Sequence, residues 1–287
     1  MRPLKLGSRI FVDGGDAEET KALKDALGFL DGQTTNPSLV AKNPEAKARL
    51  DRGEKFAKQE LLDFYKGIVQ EVSMLVPDGS VSVEVYADAG TTAQRMFVQG
   101  KEMYAWIPNA HIKYPTTAAG LEAAELSVKE GMRVNMTLVF SQAQAAAVYA
   151  ATRGAHKGQV FVSPFVGRLD DRGQNGMSLI KNIMDMYAVG DGHVEVLTAS
   201  VRTIEHLQFA LALESDIITA PAKVLYEWAE NGLLIPDAKY HYDPNGLVPI
   251  PYESLDLAVD WKSFAITHEL TDKGIDRFAA DWNALLV

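Results

Sequence analysis

The chain has 287 residues, 47% of them hydrophobic and 23% charged, which supports a full core and shows no compositional sign of disorder. Its formal net charge of −10 speaks against a nucleic-acid surface, which needs clustered basic residues. Without cysteine there are no disulfides, no thiolate chemistry and no Cys-ligated metals.

No apolar run reaches membrane-spanning length, and Met1-Arg2-Pro3-Leu4-Lys5 lacks the apolar core of a signal peptide, so a cytoplasmic protein is expected. Ser8 to Asp13 reads as a strand, and Ala17 to Leu27 follows as a helix whose start is acidic at Asp16, Glu18 and Glu19. Gly32 to Ser38 gives a second strand running into a Pro-initiated helix, then a charged helical stretch from Asn43 to Leu75 that Pro77-Asp78-Gly79 breaks. Ser80 to Tyr86 is the third strand, with a helix from Thr91 to Met103. The segment Asn109 to Thr117 carries the fourth, followed by a helix from Ala118 to Glu130 that Gly131 closes. Arg133 to Phe140, Gln159 to Ser163, His193 to Ala199 and Asp216 to Thr219 complete the strands. Their helices run from Gln142 to Arg153, Ser178 to Ala188, Thr203 to Leu213 and Ala222 to Asn231.

Eight short β-branched strands alternating with amphipathic helices imply a parallel sheet closed as a (β/α)8 TIM barrel over residues 1–231. From Gly232 to Phe264 prolines and tyrosines replace periodicity, which predicts a long ordered loop or cap. Thr271 to Leu286 resumes as a helix with Phe278, Trp282 and Leu285 on one stripe. Residues 232–287 are therefore expected to pack as an extension on the barrel or on a neighbouring subunit, and a homo-oligomer is expected.

Side chains alternate along a strand, so the parity of the apolar residues identifies those that face the barrel interior. Val81, Val83 and Val85 take the helix-facing side and leave Glu84 inward; Ile112 and Tyr114 leave Lys113 inward. Val134, Met136 and Leu138 leave Asn135 and Thr137 inward, Ile10 and Val12 leave Asp13, and Val160 and Val162 leave Ser163. Six polar residues from five strands thus converge near the C-terminal mouth, where barrel enzymes keep their chemistry.

Lys113 organises this set. A buried lone ammonium either loses its proton or finds a partner, and a neutral, desolvated amine is a nucleophile toward carbonyl carbon. Glu84 and Asp13 beside it fit proton transfer, with a purely structural ion-pair cluster as the alternative. Arg168 and Arg202 follow later strands; loops after strands seven and eight commonly bind phosphate in this fold, and Arg168 comes one loop earlier. A planar guanidinium suits that anion, although surface pairing with Asp170, Asp171 or Glu205 is open to either arginine.

The segments Thr34-Thr35-Asn36-Pro37-Ser38, the Lys113 strand, Asn135-Met136-Thr137-Leu138-Val139-Phe140-Ser141, Ser163 to Asp171 and Thr271-Asp272-Lys273-Gly274-Ile275 together resemble the transaldolase family, most closely its short microbial form. The likeness runs from Arg9 to Pro221 and again from His268 to Trp282. The stretch between Lys42 and Ser80 and the segment from Gly232 to Phe264 do not fit that short form.

The resemblance implies that Lys113 forms a Schiff base and that Glu84 and Asp13 manage protons through a water held with Thr137. It further implies that Asn36 and Asn135 hold the donor's hydroxyls, that Ser163 lines the donor site and that Arg168, Ser200 and Arg202 bind the sugar phosphate. The expected reaction moves a dihydroxyacetone unit from a ketose phosphate such as fructose 6-phosphate or sedoheptulose 7-phosphate to an aldose phosphate, without metal or cofactor. Glu84 and Phe165 occupy positions where the related fructose 6-phosphate aldolases tend to carry glutamine and tyrosine, which favours the transferase. A sulfonated sugar on the same arginines and a non-catalytic barrel are the other readings.

Overall fold

The protein is described here from a computed structural model covering residues 2–287 apart from residue 238. Eight parallel strands close into a barrel: β1 (Arg9–Asp13), β2 (Gly32–Thr34), β3 (Ser80–Glu84), β4 (Ala110–Pro115), β5 (Val134–Val139), β6 (Val160–Pro164), β8 (Val194–Thr198) and β9 (Ile217–Ala220), with β9 pairing back to β1. Between them run α1 (Ala17–Leu27), α2 (Pro37–Ala41), α3 (Pro44–Asp51), α4 (Lys58–Leu75), α5 (Ala93–Tyr104), α6 (Ala118–Lys129), α7 (Gln142–Ala151), α9 (Gly176–Tyr187), α10 (Ile204–Ala212) and α11 (Ala222–Glu230). Most of these helices open on a side chain that caps the first turn. Asp16, Asn36, Thr92, Thr117, Ser141, Asn175 and Thr203 each accept a hydrogen bond from a backbone N–H just inside the helix. The local sequence thereby sets where most loops at the C-terminal mouth end.

The predicted alternation holds, with three differences. The single helix expected from Asn43 to Leu75 is two, α3 and α4, because Gly53 takes a left-handed φ of 74°. The break lets Phe56 bury itself and bond the C-terminus: Phe56 N donates to Leu285 O at 2.8 Å and Val287 N to Phe56 O at 3.1 Å. The loop after β6 carries an unforeseen short helix, α8 (Val166–Asp170), and a two-residue strand, β7 (Gln174–Asn175). Third, Leu138 does not join Val134 and Met136 beneath the outer helices. A register shift between Met136 and Val139, with φ of 59° at Leu138, turns its side chain up beside Glu84, Ile275 and Phe278.

The segment from Gly232 to Phe264 lies along the flank of its own barrel. Tyr242 stacks on Phe209 of α10 at 4.9 Å, β10 (Val248–Pro249) pairs in parallel with β7, and Asn182 of α9 donates to Ile250 O at 2.9 Å. Gln142 of α7 then accepts from Glu253 N at 2.7 Å, and a 3-10 turn (Trp261–Ser263) follows, with Trp261 buried. The last helix, α12 (Glu269–Ala284), buries Phe278 and Trp282, with Leu285 immediately after it, and crosses α2 and β5 at the C-terminal mouth of the same chain.

The inward positions of the lower barrel are filled by Phe11, Phe161 and His111, the last two stacked at 3.9 Å. His111 bonds Ser80 Oγ through Nδ1 at 2.6 Å and Gly158 O through Nε2 at 3.0 Å, and burial holds its pKa down at about 3. The unfolded chain, with the ordinary histidine value of 6.5, binds a proton that the native state refuses, so stability falls as pH drops from 6.5 toward 3. Between pH 7 and pH 5 this residue is expected to withdraw about 2 kcal/mol from the native state. Urea denaturation of wild type and His111→Gln at both pH values checks this: the variant should lose distinctly less stability on acidification.

Candidate active site

Glu84, Lys113 and Asn135 stand side by side because β3, β4 and β5 pair in the register Glu84↔Lys113 and Lys113↔Asn135. Lys113 is 3% exposed. Its Nζ donates to Thr35 O at 2.9 Å and lies 2.9 Å from Glu84 Oε2, a contact that is ionic but off the hydrogen-bonding direction. Burial pushes the Glu84 carboxyl pKa up, against the opposing pull of Lys113. The carboxylate therefore receives a proton more readily here than an exposed glutamate does.

A phenol beneath the pair holds both partners. Tyr65, wholly buried on α4, accepts from Glu84 N at 2.9 Å, so its own proton is directed to Thr35 Oγ1 at 2.5 Å; Thr35 Oγ1 in turn donates to Ser82 O at 2.7 Å. The carbonyl of that same Thr35 receives Lys113. Trp106 and Trp282 pack edge-on against the ring, each at 5.9 Å. Residue 65 reads in the sequence as one more apolar position on a helical stripe, and nothing local reveals its role.

Asp13 reaches the same mouth from β1. Its Oδ1 accepts from Thr34 Oγ1 at 2.7 Å, which also meets Thr219 Oγ1 at 2.7 Å, and desolvation raises its pKa despite Lys113 nearby. Asn135 is fixed from both sides, donating to Ser82 Oγ at 3.0 Å and accepting from Ser163 Oγ at 2.6 Å. Thr137 Oγ1 and Glu84 Oε2 are buried and lack a hydrogen-bond partner among the described residues. Polar atoms of this kind bind water or substrate.

Above the pair opens a cavity whose wall includes Asp13, Asn36, Lys113, Ser163, Phe165, Arg168 and Ser200. Seven of the residues expected from the sequence thus share one space. Glu84 and Asn135 flank Lys113 in the strand register rather than lining that wall, Glu84 lining a smaller hollow under α12, and Thr137 pairs with Pro115 further along β4. Arg202 is set apart: Asp171 holds both its terminal nitrogens, one at 2.6 Å, as the surface-pairing alternative anticipated. Lys42, Arg277 and Phe278 also line the cavity, and the sequence did not mark them. Phe278 reads as core, and Lys42 and Arg277 read as ordinary exposed charges. Within a chain of net charge −10, this wall carries four cationic side chains and one carboxylate.

Fold and site define a (β/α)8 barrel with a buried lysine facing an anion-attracting cavity. Residues 10–287 match the profile of the Transaldolase/Fructose-6-phosphate aldolase family. A probable transaldolase of Dehalococcoides mccartyi is 36% identical over 278 residues, covering 96% of this chain and 99% of that one. Probable transaldolases of Lysinibacillus sphaericus (36% over 275 residues) and Brucella ovis (35% over 274) each align with 96% of this chain, covering 97% and 96% of their own lengths. The chain belongs to the transaldolase/fructose-6-phosphate aldolase family. The match spans the stretch from Lys42 to Ser80 and the segment from Gly232 to Phe264, so relatives of similar length extend across both.

Replacing Tyr65 by Phe leaves Glu84 N and Thr35 Oγ1 each short of a buried partner. A loss of about 1–3 kcal/mol in urea denaturation, with an unchanged far-ultraviolet spectrum, is the expected outcome.

Proposed function

We propose that this protein is a transaldolase that carries a dihydroxyacetone unit on Lys113. The observation behind this reading is the lysine itself, buried on β4 at the cavity wall with Glu84 2.9 Å away. Passing the ammonium proton to Glu84 frees the amine to attack the ketose carbonyl, and the carbinolamine loses water to give an iminium. That cation draws the electrons of the adjacent C–C bond as Asp13 removes the proton of the neighbouring hydroxyl. An aldose phosphate leaves, and the three-carbon unit remains as an enamine. A second aldose phosphate then captures the enamine carbon, and water releases the product ketose.

The two buried atoms without a protein partner, Glu84 Oε2 and Thr137 Oγ1, suit a water that relays protons between the acids. Asn36 reaches the cavity while its Oδ1 caps α2, which leaves its amide nitrogen for a donor hydroxyl. Asn135 and Ser163, already joined to each other, would orient a second. Arg168 and Ser200 line the end suited to the phosphate, with Arg202 behind them, and the positive wall would draw anionic sugars from solution. Phe165 packs against Arg168 at 5.2 Å and keeps that end apolar around the guanidinium.

Borohydride reduction in the presence of fructose 6-phosphate should add a three-carbon unit to Lys113, detected by mass spectrometry, and Lys113→Ala should abolish the adduct. An unmodified wild-type protein would reject the reading. Release of free dihydroxyacetone as fast as transfer to an added aldose phosphate would reassign the chain to the aldolase branch of its family.

A further inference from the structure

The arginines in the cavity wall and the one behind it are unequally paired. Arg202 is neutralised at both terminal nitrogens by Asp171. Arg168 has no carboxylate within ion-pair distance among the described residues; its guanidinium sits between the rings of Phe165 and Phe278, 5.2 and 5.3 Å from their centres. The C-terminal helix comes this close because residue 274 is glycine: a Cβ there would lie 2.7 Å from Arg168 Nη1 and 2.6 Å from Leu138 Cδ2. One turn further along the same helix is Arg277, lining the same cavity. Its Nε is 3.8 Å from Asp281 Oδ2, too far for a hydrogen bond, and that oxygen already accepts from Ser38 Oγ. Lys42, exposed and without an ion pair among the described residues, lines the wall as well.

Arg168 and Arg277 share this wall and repel each other: burial, and then the charge of Arg277, lower the pKa of Arg168. A dianion placed between them turns that repulsion into two favourable, geometrically matched contacts, since a planar guanidinium meets a phosphate through paired N–H donors. We propose that Arg277, presented by α12, is a specificity-determining residue that grips the phosphate of the sugar opposite Arg168, with Arg202 and Asp171 forming the wall behind. This rests on the transaldolase reading for the identity of the ligand, while the anion site itself can be probed without it. It gives the C-terminal helix a direct part in substrate selection, and it explains why the chain spends a glycine at position 274 to bring that helix down.

The test measures KM and kcat for fructose 6-phosphate, calorimetric binding of inorganic phosphate, and borohydride trapping of dihydroxyacetone, which has no anionic head, in wild type, Arg277→Ala, Arg277→Lys and Arg168→Ala. Arg277→Ala should raise KM for fructose 6-phosphate and weaken phosphate binding by about tenfold to a hundredfold, the range expected for losing a hydrogen bond to a charged group. Trapping of dihydroxyacetone should stay within about twofold of wild type, and Arg277→Lys should restore part of the loss. Wild-type KM and phosphate affinity in Arg277→Ala, alongside their loss in Arg168→Ala, would overturn the proposal and leave α12 as a passive wall. A wild-type protein that ignores fructose 6-phosphate would count against the transaldolase reading alone, because phosphate binding would still show whether Arg277 contributes. Thermal melting of each variant accompanies the assays; Arg277 is exposed, so its substitutions should leave the melting temperature unchanged.

Discussion

The arrangement depends on one contact, the ammonium of Lys113 held 2.9 Å from the Glu84 carboxylate with almost no solvent around either. Such a pair is a liability for stability, because each charge loses its water and either one left alone would cost about 3–5 kcal/mol. The barrel makes it tolerable by over-determining both partners. Strand register puts them side by side, Thr35 O takes a lysine hydrogen, and Tyr65 fixes the Glu84 backbone and the Thr35 hydroxyl together. The raised Glu84 pKa follows from this desolvation. It is also what a proton acceptor beside a nucleophilic amine requires.

Several elements far apart in the chain serve that contact. The break at Gly53 separates α3 from α4, and α4 supplies Tyr65; the same break frees Phe56 to pin the C-terminus. The C-terminal helix returns the connection, since Trp282 packs on Tyr65 and Phe278 on Arg168. Gly274 and the bulge at Leu138 let that helix settle onto the mouth, and the flank segment from Gly232 to Phe264 carries the chain there from the last barrel helix. The two stretches that looked foreign to the short family form are therefore built into the support of the site: one contributes Tyr65 and the other delivers α12.

Charge is distributed against the average. The surface carries the acidic excess, whereas the cavity gathers Lys42, Lys113, Arg168 and Arg277 around one carboxylate, Asp13. An acidic exterior favours solubility, and a positive recess in it concentrates the field on anionic ligands. Composition alone points away from anion binding, because a net charge sums over positions that never share a space.

Strand-by-strand parity was enough to place Asp13, Glu84, Lys113, Asn135 and Ser163 inside the barrel, since a two-residue period leaves one polar residue among apolar neighbours no other face to occupy. The acidic turn at Asp16, Glu18 and Glu19 and the proline at position 37 likewise marked the first two helix starts, because such signals act within a single turn of chain. Parity failed at Leu138, where a positive φ shifts the count by one, and helical periodicity ran through the α3–α4 break because Gly53 interrupts no hydrophobic stripe strongly enough to show. Tyr65, Lys42 and Arg277 were illegible for a different reason. Each is ordinary for its own helix, and each matters through atoms contributed by segments up to hundreds of residues away. The local sequence determined the elements and the direction of their side chains; the closing of the barrel and the return of the last helix decided which of those side chains meet, because long-range contacts leave no period in the chain that makes them.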